Sequence, residues 1–389
     1  MQPQTEAQAA VPAITDEVYE VFRKKLSSTI WSLHNLIRGG SAQKLTNLAG
    51  SYDLDLVLLV NHPGTTWDVA RKASIADVQE LLVSEGWGAI PTKPFKHGRF
   101  ERPSLDPAGP LHLDVLPVPK PANLGSGSLD KALYNALLAP LLLPAAAHSD
   151  RAAARSSDQC YPPHPAVLPV SDRTRVLQLT EVEVEVVRAQ HPTTKNGMRL
   201  LKAWVRFGDH EIRGTDKIPG IVCEVLVMAA CRRDQLNVPY FAAATRQAAI
   251  GGGRPPGVME AFMGGLELIA TRLRLIPLEP AQADKDNPPA PVVAEVLYTA
   301  EQAERYRGCW GPGKPPFTPI ILYPADPTCN MRERVEFAHW DELADAAALL
   351  HSQLASGASQ CSSREDWARR VEGTSLRGVA RQFLPGGVK

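Results

Sequence analysis

The sequence predicts an α+β fold, with a mixed twisted sheet and its helices in the first half and a mostly helical second half. Three observations carry that prediction. The run Leu54 to Val60, LDLVLLV, is short and rich in Val and Leu, as a buried strand is. Leu111, Leu113 and Val115 alternate with His112 and Asp114, the period of a half-buried strand. Beyond about residue 176 the apolar residues recur at helical spacing instead.

Taken in order, residues 1 to about 14 are expected to lack ordered structure. Val18, Val21, Phe22, Leu26, Ile30, Leu33 and Ile37 predict an amphipathic helix over 16–37, with Arg23, Lys24 and Lys25 toward its polar side. Gly39-Gly40-Ser41 reads as a loop, 54–60 as a strand, 69–85 as a helix, and 111–115 as a second strand closed by Pro117. From Pro144 the composition shifts to Ala, Ser and Pro, which predicts an inserted loop or linker over 144–175. TEVEVEVV, from Thr180, alternates like a strand, but Thr180 with Glu183 three residues on makes a capping box, and helix is preferred. Helices follow over 195–207, 218–232, 257–274 and 339–355, interrupted by a proline-rich break from Pro277 to Pro291. The expected organisation is a first domain over 15–150, the linker, a helical domain over 176–355, and a loosely attached tail over 356–389.

Composition narrows the function classes. With 42 Lys+Arg against 42 Asp+Glu, the 389 residues carry no net charge, which argues against a general nucleic-acid coat and leaves room for a local basic face. The longest apolar stretch, Leu137 to Ala147, contains Pro140 and Pro144 and falls short of the about 20 residues a bilayer span needs. The amino terminus has neither the basic start nor the apolar core of a secretory signal. Six widely spaced cysteines, with no C-x-x-C pair, fit reduced thiols in a cytoplasmic protein, with a nuclear pool allowed, better than a zinc site or disulfide frame.

The chemistry concentrates in the first half. Asp53 and Asp55 are two apart at the start of a strand, so both carboxylates project from one face. Asp114 joins them if the two strands pair. Three converging carboxylates suit hard divalent cations, above all Mg²⁺ gripping a triphosphate. Gly39-Gly40-Ser41 precedes this pair, and its free backbone and hydroxyl suit phosphate oxygens, although the spacing is not that of a Walker loop. In the second half, Lys195, Arg199, Lys202 and Arg206 fall at i, i+4, i+7 and i+11, along one side of a helix. From Arg188 to Lys217 there are seven basic residues against three acidic ones. Lys93, Lys96, Arg99 and Arg102 form a small basic loop. His34, His97, His112 and His191 have no partners at metal spacing and read as structural or surface residues.

Gly-Ser, a short spacer, D-x-D on a strand and a third Asp on a later strand is the layout of the nucleotidyltransferase superfamily. Within it, RGGSAQKLTNLAGSYDLDLVLLV (38–60) resembles the phosphate loop and D-x-D segment of the 2′-5′-oligoadenylate synthases. PLHLDVLPV (110–118) resembles that family's third-Asp segment, and LTEVEVEVVRAQHPTTKNGMRLLKAW (179–204) the first helix of its second domain. PIILYPADPTCNM (319–331) and HWDELADAAALL (339–350) resemble its carboxy-terminal signature. The PADPT pentapeptide separates this branch from the related cyclic GMP–AMP synthases, whose animal forms carry a zinc-binding insert missing here.

The resemblance implies an enzyme that polymerises ATP into 2′-5′-linked oligoadenylate, releasing pyrophosphate, when double-stranded RNA binds. It implies Asp53, Asp55 and Asp114 as the catalytic, metal-binding triad for two Mg²⁺ ions, with Mn²⁺ as a substitute. Gly40, Ser41 and Lys44 would hold the donor triphosphate, joined by Lys202 from the second domain once the domains close. Arg38, Arg188 and Lys195 match basic positions of the family's RNA platform. The sequence also departs from the family. Gln43 and Leu45 stand where the loop has glycines, Gly220 replaces a glutamine, and Ile221 replaces a tyrosine that stacks on the donor base. Tyr323 stands where an aspartate precedes PADPT, and Val184 replaces a basic platform residue. Two alternatives therefore stand beside the leading one: a related enzyme making a cyclic dinucleotide or a non-adenine oligomer, and a catalytically silent RNA-binding protein.

Overall fold

The structure is a computed structural model that describes residues 6–26, 30–48, 53–91, 98–103, 111–120, 179–231, 256–272, 293–294, 320–331, 335, 337–356 and 371–383. The predicted linker over 144–175 and the break from Pro277 to Pro291 lie outside these residues, as do Lys93, Lys96 and His97. The chain divides into two compact units. Described residues up to 120, together with 179–188, belong to the first, and those from 189 onward to the second.

The first unit opens on α1 (Glu6–Lys25), so helix begins inside the stretch expected to lack order. It ends at Lys25 rather than Ile37, because Leu33 and Ile37 belong to strand β1 (Ser32–Gly39). The helical spacing of these two residues falls on an irregular strand: β1 shifts register between Leu33 and Asn35, and Leu33 and Ile37 pack in different apolar clusters. Gly40–Gln43 forms the short helix α2 where a loop was expected. Then come β2 (Asp53–Asn61) and α3 (Trp67–Ser84), whose first turn is capped by the Thr66 hydroxyl accepting from Val69 N at 3.5 Å. Strands β3 (Gly88–Ile90), β4 (Gly98–Arg102) and β5 (Leu111–Pro119) follow, and helix α4 (Thr180–Arg188) completes the unit.

These five strands make one mixed sheet in the order β1-β2-β5-β4-β3. The β2–β5 pair is parallel and the other pairs are antiparallel. Pro117 lies inside β5 opposite Leu58 and does not close it. Among the described residues the β4–β5 ladder runs from Leu111 to Val115, and Pro117 lies beyond it. One sheet face buries Leu54, Leu56, Leu58, Leu113 and Phe100 in the main core, with Val18 and Phe22 of α1 and Val78 and Leu82 of α3. The other face holds a smaller cluster of Ile37, Val57, Leu59 and Val118. By alternation, Asp53, Asp55, His112 and Asp114 lie on that second face, at the entry ends of β2 and β5.

The second unit is built on α5 (Pro192–Phe207), α6 (Gly220–Cys231), α7 (Val258–Glu267) and α8 (Trp340–Ala355), with a π turn over Leu268–Arg272. Helix α6 is buried from Val222 to Ala229 and apolar there but for Glu224, as suits a central helix. Helical spacing did not foresee the small sheet of β6 (Val293–Ala294), β7 (Ile320–Tyr323) and β8 (Asp326–Asn330). The PADPT segment supplies its hairpin, with Tyr323 paired to Asp326 and both side chains buried.

The expected loose tail is in part docked. Trp204 Nε1 donates to Ser375 Oγ at 2.9 Å, Asp209 N donates to Ser375 O at 2.8 Å, and Arg377 pairs with Asp209. Leu376 and Val379 are buried beside the final helix, α9 (Arg377–Phe383). Leu376→Ala is expected to cost about 2–5 kcal/mol, the range for a buried leucine, and to speed cleavage of the terminal segment in limited proteolysis. An unchanged melting temperature and cleavage rate would mean that the segment contributes nothing to the second unit.

Candidate active site

Strand register assembles the acidic cluster. Gly39 on β1 pairs with Asp55 on β2, Asp55 pairs with Asp114 on β5, and Asp114 pairs with Arg99 on β4. One row across four strands therefore reads Gly39, Asp55, Asp114, Arg99. The next row places Asp53 beside His112. The three predicted carboxylates thus share one face at adjacent positions. Their mutual repulsion is visible in Asp55: burial, then the Asp114 and Asp53 charges, pushes its carboxyl from 3.8 up to about 6, with Glu183 adding and Lys44 opposing.

Gly40 closes over Asp55. Its φ is +76°, and a Cβ there would stand 2.0 Å from Asp55 Oδ2, so only glycine lets the α2 turn lie against this carboxylate. Ser41 follows, half-buried. Leu45, standing where the resembled family has glycine, keeps the glycine-like backbone at φ 59°, exposed and at a cost of about 1 kcal/mol. Lys44 is buried, and its ammonium pairs with Glu183 of α4. Glu183 entered the sequence reading as a cap residue, but its carboxylate is committed to Lys44.

Arg99 and His112, expected in a small basic loop and as a structural or surface residue, both stand at the acidic cluster. Arg99 lies on β4 rather than in a basic loop, and its guanidinium reaches both aspartates: Nε is 3.5 Å from Asp114 Oδ1 and a terminal nitrogen is 3.8 Å from Asp53 Oδ1. The same terminal nitrogen donates to His112 Nδ1 at 3.2 Å, which leaves the ring proton on Nε2. His112 Nδ1 is itself 3.4 Å from Asp53 Oδ1. Arg102 turns the other way, to Glu17 and over the Trp87 ring. The signal was present in the alternation of GRFER, which puts residue 99 on the face of an acidic neighbour once β4 and β5 pair.

The donor set fits a hard divalent cation by chemistry: three carboxylates, no sulfur, and one carboxyl held in a costly anionic state. The side chains are not yet turned toward a common ion. Among the described residues, no group of three or more His, Cys, Asp or Glu is arranged to hold a metal. Asp53 and Asp114 face Arg99 instead. Among the described residues, burial pushes the Cys223 thiol up to about 12, and Cys231 and Cys329 are also free thiols.

The remaining predicted residues belong to both units. Arg38, in β1, pairs with Asp16 at 2.5 Å and lies over the Tyr19 ring. Arg188 is exposed at the end of α4. In the second unit, Lys195 is half-buried on α5, Arg206 is exposed, and Lys202 is buried against Glu224. The four cations at helical spacing therefore do not make one solvated stripe. Lys202 runs along α6 so closely that a Cβ at Gly220 would sit 2.9 Å from its Cε.

No protein-family model matches the chain, and no curated protein matches it. Solved structures do. CdnC of E. coli MS115-1 with ATP aligns with a TM-score of 0.52 at 15% identity, over 95% of this chain and 92% of that one. The CdnC:HORMA-deltaN complex from the same source gives 0.53 at 14%, over 95% and 93%. The Cid1 poly(U) polymerase with Mg 3′-dATP gives 0.48 at 11%, over 90% of each chain. At such identities the likeness is one of fold: the α+β arrangement with its mixed sheet is shared with CdnC over most of both chains.

Proposed function

We propose that the chain is a metal-dependent nucleotidyltransferase whose site is the Asp53/Asp55/Asp114 face beneath the Gly40 turn. The observation that carries this reading is the pairing of Asp55 with Asp114 on parallel neighbouring strands, with Asp53 one pleat away and a side-chain-free residue over Asp55. In the reaction, a ribose hydroxyl oxygen bonds to the α-phosphorus of a nucleoside triphosphate, the α–β phosphoanhydride breaks, pyrophosphate leaves and the hydroxyl loses its proton. Two Mg²⁺ ions held by the three aspartates would supply Lewis-acid activation of that hydroxyl and charge neutralisation on the leaving group. The Gly40–Ser41 turn is suited to the triphosphate, and Lys44 would exchange Glu183 for a phosphate oxygen.

The specific activity proposed is synthesis of 2′-5′-linked oligoadenylate from ATP on binding duplex RNA, supported by the segments at 38–60, 110–118, 179–204 and 319–331. Arg38, Arg188 and Lys195 are the proposed RNA contacts, read through backbone and shape rather than bases. A second reading, a cyclic dinucleotide or a non-adenine oligomer as product, is favoured by Gly220. The resembled family carries a glutamine at that position, and here the Lys202 stem fills the space beside it.

The deciding experiment incubates the purified protein with labelled ATP or GTP and Mg²⁺, with and without duplex RNA. Products are then digested with a nuclease specific for 3′-5′ linkages. A resistant ladder from ATP that requires duplex RNA supports the oligoadenylate reading. RNA-independent synthesis, a cyclic product or a preference for GTP moves the assignment to the second reading. No incorporation under any condition would leave a catalytically silent RNA-binding protein.

A further inference from the structure

We infer that Arg99 is a resident cation of the carboxylate cluster, which metal ions must displace, so that this residue sets the metal affinity of the site. The inference rests on the metal-dependent reading above and deepens it. Three observations support it. Arg99 stands opposite Asp114 in the β4–β5 register, so the sheet itself delivers its guanidinium to the acidic row. One guanidinium reaches Asp114 Oδ1 at 3.5 Å and Asp53 Oδ1 at 3.8 Å, bridging two of the three proposed metal ligands. It also donates to His112 Nδ1 at 3.2 Å, which fixes the plane of the guanidinium beside the carboxylates.

The electrostatics favour this arrangement only while the site is metal-free. Three carboxylates on one face, with Asp55 paired to Asp114 and Asp53 one pleat away, repel one another. A delocalised cation at 3.5–3.8 Å relieves part of it without the close oxygen contacts that a metal makes. Divalent ions entering between the same oxygens would bring two positive charges each against the guanidinium, which therefore has to leave. Arg99 and Asp53 are both more than a third exposed, so the pairs are of the weak, solvent-screened kind. Their loss changes the competing equilibrium by about 3–10-fold rather than by orders of magnitude.

The test is a titration of Mn²⁺ without nucleotide, with free ion read by electron paramagnetic resonance, on the full chain. Arg99→Gln is expected to bind Mn²⁺ about 3–10-fold more tightly than wild type, whereas Arg99→Lys, which keeps the charge, stays within about twofold. Arg102→Gln, on the same strand but facing Glu17, serves as the control and should bind as wild type does. A structural role for Arg99 predicts the opposite sign, because loosening β4 would scatter the ligands and weaken binding. Weaker or equal Mn²⁺ affinity in Arg99→Gln, with an unchanged melting temperature, would therefore overturn the inference while leaving the metal site intact. Should Arg99→Gln fail to fold, Arg99→Met, which keeps the aliphatic stem and removes the charge, takes its place: tighter binding than wild type supports displacement, and equal or weaker binding overturns it. Absence of Mn²⁺ binding in wild type and Asp55→Asn alike would remove the metal reading itself, and the inference with it.

Discussion

Asp55→Asn is expected to lower nucleotide incorporation by on the order of 10³-fold while making the metal-free protein more stable at pH 8. The first effect follows from its place between Gly40 and Asp114. Losing one carboxylate removes a ligand shared by the proposed ions, and several kcal/mol of transition-state charge stabilisation translate to about that factor. The second effect follows from the elevated carboxyl. Asp55 titrates near 6 in the folded chain against 3.8 ordinarily, so the folded state holds the proton more tightly than the unfolded one. Its contribution to stability is therefore present below about pH 4 and is lost as pH rises through 6. The shift corresponds to at most about 3 kcal/mol, and partial exposure brings the expected gain to about 1–2 kcal/mol. Calorimetric melting in EDTA checks the sign: the variant should melt above wild type at pH 8 and level with it at pH 4. With Mg²⁺ added at pH 8, only wild type should gain. A variant that melts below wild type at pH 8 without metal would show that Asp55 is a structural residue.

Gly40→Ala is the second large effect. The backbone at φ +76° costs an L side chain about 1–2 kcal/mol, and the new Cβ would meet Asp55 Oδ2 at 2.0 Å. Either the α2 turn lifts or the carboxylate rotates away, and both outcomes spoil the juxtaposition on which the site depends. A loss of about 2–3 kcal/mol in stability and of at least about 10²-fold in activity is expected. Because residues 40 and 55 touch, the effects of Gly40→Ala and Asp55→Asn should not add, and the double variant should resemble the worse single one. Independent, additive losses in a double-mutant cycle would mean that the turn and the carboxylate act separately.

Much of the acidic site was legible because its signal is local. D-x-D places two carboxylates on one face of a strand whatever the sheet does, and the alternation from Leu111 to Val115 does the same for Asp114. What the strands' own sequences do not contain is register. Nothing local says that Asp55 lies opposite Asp114, or that Arg99 of β4 joins the row, because those facts arise from pairing across the sheet. The helix expected over 16–37 meets the same limit: Leu33 and Ile37 keep helical spacing, yet they lie on a strand whose register shifts between Leu33 and Asn35, and they pack in different clusters. Glu183 shows a right element with an incomplete reason. Its segment is helical, yet its carboxylate is buried against Lys44, a contact between the residue that ends α2 and helix α4 that no spacing rule reaches. Lys202 is similar, since its place in a cationic stripe followed from helical geometry while its burial follows from Glu224 on a neighbouring helix.

The most direct measurement is pyrophosphate release from each nucleoside triphosphate with Mg²⁺ or Mn²⁺, with and without duplex RNA, by wild type and Asp114→Asn. Wild type should release pyrophosphate only with a divalent cation, and Asp114→Asn should be slower by on the order of 10³-fold while keeping the wild-type fold. Release unaffected by Asp114→Asn, or none from wild type with any triphosphate, metal or duplex RNA, would contradict nucleotidyl transfer at this face.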